Sequence, residues 1–186
     1  DVPLRKEPPR SYDETQIPRT SQEEVYNFVV EDLQYAETNL PDNAPIQGRV
    51  PKLAATALLA RVYLTMAGHP LNKTDNYQNA LSKSLAVINS NKFQLVEDYA
   101  QVFRKSAYTT ESIWEQTYAP GNGNGIHSIS LTQQGFVPIL LPAPWFINSF
   151  SEGDRRADFG ILENFHDAAN NVTLPAFFAK FVDTSY

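Results

Sequence analysis

Residues 118 to 145 carry the side chains best suited to chemistry in this sequence: Tyr118, Asn122, Asn124, His127, Gln133 and Trp145, with Gln134 adjacent. They combine aromatic rings with planar amides and no cluster of charge. Rings offer faces to apolar C–H surfaces and planar amides pair with hydroxyl groups, so the mixture suits binding without a charge to grip. These residues lie on or near loops, where recognition groups sit on a rigid scaffold. Some of them equally suit a purely structural use. Asn122 and Asn124 fall in the turn sequence PGNGNG, where Asn-Gly supplies positive φ at little cost. Trp145 adjoins Phe146, Ile147 and Phe150, a pattern that also describes a short helix packed on a core. Trp114 sits in the alternating stretch 113–118 and is assigned to the core of a strand.

Catalytic and metal chemistry find little support. His69, His127 and His166 are far apart and lack metal-ligand spacing. Asp154, Asp158, Glu163 and Asp167 could in principle supply the two carboxylates of glycoside hydrolysis, but a solvated turn salt-bridged to Arg155 and Arg156 is the favoured reading. Nucleophile-elbow, phosphate-loop and dinucleotide motifs are missing; GNGNG at 121–125 lacks the helix such folds demand. The chain contains no cysteine, which excludes thiolate ligands and a cysteine nucleophile. The expectation is a binding protein, not an enzyme, with no cofactor and no metal.

The composition fits that expectation. A length of 186 residues allows a real core that removes roughly 70% of the unfolded surface from water. The content is 42% hydrophobic and 19% charged, as in ordinary globular proteins, while 13 prolines and 12% aromatics point to long structured loops. A net charge of −6 with scattered Lys and Arg argues against nucleic acid and against a polybasic membrane surface. No apolar run reaches the ~20 residues of a spanning helix.

Three helices are expected to position the candidate residues. Ser21 and Glu24 have capping-box spacing, and Val25, Phe28, Val29, Leu33, Ala36 and Leu40 then recur at helical intervals until Pro41. A second helix begins with Pro51 in its first turn and runs through an alanine-rich stretch to Met66, before Gly68 and Pro70. Its small residues allow close approach of neighbours, Leu58, Leu59, Val62 and Tyr63 fill the space between, and little of it should meet water. Lys52 and Arg49 place positive charge at the wrong end of the macrodipole, which a nearby carboxylate would offset. Tyr77, Ala80, Leu81, Leu85 and Ile88 define the third helix, antiparallel to the second. Leu59, Ala60, Tyr63, Tyr77 and Ala80 echo the tetratricopeptide (TPR) pattern, although the turn between the helices is longer than that repeat permits. Beyond residue 92 a short extended piece, a helical turn at 98–103, a strand at 112–118 and a short helix at 144–150 are expected, followed by loops and short strands.

The order of these segments resembles the SusD/RagB family of outer-membrane nutrient-binding lipoproteins of Bacteroidetes. The resemblance rests on IPRTSQEEVYNFVVEDLQYAETNLP at 17–41 and GRVPKLAATALLARVYLTMAG at 48–68. It continues through FQLVEDYAQVF at 93–103, ESIWEQTY at 111–118 and GDRRADFG at 153–160. It implies a mainly α fold of TPR-like antiparallel hairpins, an αα superhelix, with an irregular loop-rich region and a few short strands. It further implies a surface-exposed outer-membrane lipoprotein that binds oligosaccharides and passes them to a SusC-like TonB-dependent transporter. The family's lipidated cysteine and first helices are not in this sequence, so membrane attachment would come only from a lipid anchor outside it, and the chain reads as a fragment or processed form. The expected organisation is one domain over 1–186, with an extended surface segment at 1–20, a helical scaffold at 21–104 and a loop-rich ligand side at 105–186. The alternative function is a TPR-like protein–protein interaction module; a glycoside hydrolase ranks below both.

Overall fold

The computed structural model describes residues 2–104, 108–116, 141–167 and 171–179, and the chain divides into two compact units, Asp1–Gln94 and Leu95–Tyr186. The architecture is mainly α-helical, with TPR-like packing.

In the first unit, helix α1 spans Gln22–Asn39 and starts with the expected capping box: Ser21 Oγ accepts from the Glu24 backbone N–H while Glu24 Oε2 accepts from that of Ser21, both at 3.3 Å. Such a cap stabilises a helix by about 1 kcal/mol. The hydrogen bonds from Ser21 also hold the Glu24 carboxyl below its ordinary pKa. Helix α2 spans Lys52–Ala67, so Pro51 is its N-cap and not part of its first turn: Pro51 is extended, at φ −86° and ψ 165°, and its carbonyl accepts from Ala54. The Lys52 N–H is engaged outside the helix, by the Pro41 carbonyl at 2.9 Å. Lys52 meets the expected carboxylate, its ammonium lying 3.2 Å from Asp42. Helix α3, Asn76–Asn89, follows a turn in which Asn72 takes a positive φ of 51°.

The core of this unit lies where α1, α2 and α3 meet. Leu59 is fully sealed, at 0% exposure, among Val62, Tyr63, Met66 and Ala80, flanked by Tyr26, Val29, Val30 and Leu33 of α1. The small Ala80 lets α3 approach α2 closely. Burying Leu59 alone is worth roughly 1.5–3 kcal/mol. Tyr63 keeps its hydroxyl satisfied, accepting from Gln34 Nε2 at 3.0 Å. The expectation that α2 is nearly closed to water needs correction. Leu58 is 47% exposed and Leu64 is exposed too, because α1 and α3 cover only part of the circumference. Along α3, Tyr77, Leu81, Leu85 and Ile88 also face outward. The segment before α1 bridges Val2 to Thr20, contains a 3-10 turn at Asp13–Thr15, and sets Lys6 Nζ 5.2 Å from the Phe28 ring centre.

The second unit contains short elements: α4 at Gln101–Arg104, α5 at Pro144–Ile147 and α6 at Arg155–Gly160. Four two-residue strands follow: β1 Ile161–Leu162, β2 His166–Asp167, β3 Val172–Thr173 and β4 Phe177–Phe178. β1 pairs antiparallel with β4, opposing Ile161 to Phe178, and β2 pairs antiparallel with β3, opposing His166 to Thr173. Leu174, Phe177 and Ala179 form the buried centre against Leu162 and Phe165. The expected strand at 112–118 does not form over its described part, 112–116. Local side-chain bonds replace a ladder there. Tyr108 Oη donates to the Glu115 carbonyl at 2.6 Å, Ser112 Oγ donates to the Glu115 carboxylate, and Thr109 N–H donates to Ser112 Oγ at 3.3 Å. Such bonds offer the backbone an alternative to sheet pairing. Trp114 is accordingly 44% exposed and is not a core residue.

Candidate ligand-binding surface

Of the residues proposed from sequence, Trp145 lies within the described structure, whereas Tyr118, Asn122, Asn124, His127 and Gln133, with Gln134, lie outside the described residues. Trp145 is positioned by α5. Pro144 occupies the first turn of that helix, where a missing N–H costs nothing, and the Ala143 carbonyl accepts from Phe146 at 2.9 Å. The helix turns Phe146 inward and leaves Trp145 outside.

The two rings meet edge to face, at 5.9 Å and 85°. Phe146 in turn contacts Phe150 at 5.1 Å and Phe178 at 6.0 Å, so the exposed indole stands on a chain of rings that reaches strand β4. At 73% exposure, Trp145 is not the buried member of a packed helix. An indole held at its edge and 73% exposed leaves a ring face free.

Further along the chain, Asp154 caps α6 by accepting from the Arg156 backbone N–H at 3.0 Å. Its carboxylate also accepts from Arg156 Nε at 2.9 Å and Nη2 at 2.5 Å. The Arg156 side chain, then its backbone N–H, hold the Asp154 carboxyl at about 2, well under its ordinary 3.8. A carboxyl fixed in its ionised form has no proton to give at neutral pH, so Asp154 is unsuited to the acid role in glycoside hydrolysis. Arg156 also lies 6.0 Å from the Phe150 ring centre, completing a contact between the cap and the aromatic chain. Arg155 pairs with Asp98 at 3.5 Å. The turn at 152–156 is therefore the salt-bridged structure expected of it, and it also starts a helix that the sequence did not announce.

Sequence reasoning assigned Tyr99 no role, yet it anchors a second aromatic group in this unit: its ring meets Phe103 at 5.2 Å and Phe159 at 6.0 Å. The signal for it was the spacing of Tyr99 and Phe103, which matches one helical face. Among the described residues, no group of three or more His, Asp or Glu could hold a metal ion, and no helix is long and apolar enough to cross a membrane.

No family model matches the chain. A SusD-like protein of Formosa agariphila is 30% identical over 122 residues, which cover 64% of this chain and 22% of that protein. A SusD-like protein of Bacteroides ovatus is 30% identical over 107 residues, covering 55% of this chain and 19% of the relative. The crystal structure of a SusD superfamily protein from Parabacteroides distasonis ATCC 8503 superposes with a TM-score of 0.81 at 26% identity, covering 99% of this chain and 44% of that one. The match thus spans about a fifth of the length of the curated relatives and under half of the solved one. This chain is thus similar in sequence to part of two SusD-like proteins and in fold to part of a SusD superfamily protein.

Proposed function

We propose that this chain serves non-catalytic glycan capture at the cell surface, with hand-over to a SusC-like TonB-dependent transporter in the outer membrane. The observation that carries the reading is Trp145, an outward-facing indole braced on a chain of phenylalanine rings, in a chain with the fold of a SusD superfamily protein. Tyr118, Asn122, Asn124, His127 and Gln133 are proposed to supply the remaining ring and polar contacts. Neutral sugars offer no charge to grip, so ring faces and amides carry the recognition. The protein is held to the membrane by a lipid anchor outside this sequence. Calorimetry against a broad oligosaccharide panel tests the proposal. Heat that saturates with one glycan class supports it; silence across the panel, with no transporter co-purifying from a native membrane, sinks it.

A second reading, a TPR-like protein-interaction module, draws on a different observation. Ala57, Ala60, Leu64, Tyr77 and Leu81 line a groove of about 500 Å³ between α2 and α3, with an apolar character suited to a peptide side chain. Peptide arrays that bind while glycans do not would favour it.

A further inference from the structure

A concavity in the Leu95–Tyr186 unit, whose lining does not include Trp145, mixes charged and aromatic side chains. Asp98, Tyr99, Arg155, Asp158 and the buried Phe159 surround a cavity of about 220 Å³. That is under the roughly 300 Å³ at which pockets for drug-sized ligands begin, so its volume matches one small ring.

The electrostatics narrow the occupant further. Asp98 is offset by Arg155 at 3.5 Å, whereas the Asp158 carboxylate has no hydrogen-bond or ion-pair partner among the described residues. An anion would meet that free carboxylate and be repelled. A neutral ring bearing adjacent hydroxyls could donate to Asp158 and accept from Arg155 at once, since the two groups lie three positions apart on α6 and share one face. The floor is preorganised. Tyr99 meets Phe159 edge to face at 86°, and Phe103 stacks on Phe159 at 22°, so the rings under the cavity are held by one another.

We propose that this cavity is a subsite for a single neutral pyranose unit, its hydroxyls held by Asp158 and Arg155 and its C–H face resting on Tyr99. The ligand class rests on the glycan-binding reading above; the location does not involve Trp145. The test is ¹⁵N NMR of the full chain titrated with methyl glycosides of glucose, galactose and mannose, then with glucosamine and a longer oligosaccharide panel. At least one methyl glycoside should shift the Ala100, Asp158 and Phe159 amides, and Asp158→Asn, an exposed substitution, should weaken that binding about tenfold by removing a charged acceptor. Tyr99→Leu should weaken it as well. Shifts confined to the surroundings of Trp145 overturn the subsite and leave glycan binding standing. No response to any sugar overturns both. Tighter binding of glucosamine than of every neutral glycoside, lost in Asp158→Asn, overturns the neutral-sugar assignment and makes the cavity a cation site.

Discussion

Lys83 of α3 places its ammonium 2.5 Å from the carboxylate of Glu37 on α1, joining two helices 46 positions apart in sequence. The same carboxylate accepts from the hydroxyl of Thr56 on α2 at 2.8 Å, so one side chain ties all three helices together at the edge of the core. Both charged side chains are largely covered, at 27% for Lys83 and 21% for Glu37, and Thr56 is buried. Truncating the shared member takes the carboxylate acceptor from both donors at once, leaving the Thr56 hydroxyl only the Lys52 carbonyl at 3.3 Å. Glu37→Ala should therefore cost about 2 kcal/mol in urea unfolding, and Lys83→Met, which removes only one arm, about 1 kcal/mol or less. Equal losses for the two variants would show that the carboxylate is not the shared node.

Adjacent leucines on α2 should differ sharply. Leu59 is sealed inside the three-helix core, whereas the neighbouring Leu58 lies on the open side of the helix. Leu59→Ala removes buried methyl groups and leaves a hole, at a cost of roughly 2–5 kcal/mol, while Leu58→Ala should stay within about 0.5 kcal/mol. Chemical unfolding of both variants measures the difference, and comparable values would place the core on the wrong face.

The same pair marks how far the sequence could be read. Helices α1, α2 and α3 were legible because apolar periodicity, the Ser21–Glu24 capping box and the breakers around Pro41 and Gly68 all point the same way. Even the misplaced charge of Lys52 resolved as expected, against Asp42. Which side of α2 stays open was not legible, because an alanine-rich helix that is apolar nearly all round carries no directional stripe. Past residue 92 the elements shrink to four or six residues or to two-residue strands, too short for periodicity to speak. Alternation at 112–116 was misleading, since Ser112, Glu115 and Tyr108 bond locally instead of pairing in a sheet. At the candidate site, Trp145 was found by residue type, but its exposure depends on how Phe146 reaches Phe150 and Phe178, a tertiary fact.

Asp154 should leave a signature in acid. Its folded pKa, about 2, lies below the ordinary 3.8, so the ionised form is stabilised in the native state. The contribution is therefore fully present above pH 3.8 and fades as the pH falls through about 2. A ¹³C titration of the Asp154 carboxyl should give a midpoint near 2, and Arg156→Gln should move it back toward 3.8. The stability gap between the wild type and Asp154→Asn should be flat from pH 7 to 4 and narrow below it. A midpoint unchanged by Arg156→Gln would remove the guanidinium as its cause.

The glycan-binding proposal turns on Trp145, and its exposure separates recognition from folding. Its main described contact is the edge of Phe146, and three-quarters of its surface is open. Trp145→Ala should thus change stability by less than about 1 kcal/mol, the worth of one aromatic pair. If the indole is the stacking platform, the same substitution should weaken oligosaccharide binding about tenfold or more, as truncation of a central aromatic anchor does. Trp145→Phe should restore part of the loss, because a smaller ring still offers a face. The chain has two tryptophans, so Trp114→Phe leaves Trp145 as the sole indole reporter. Saturating sugar should shift its emission to the blue as the ring loses water. Binding that survives Trp145→Ala unchanged, with no change in that emission, would move the platform elsewhere on the molecule.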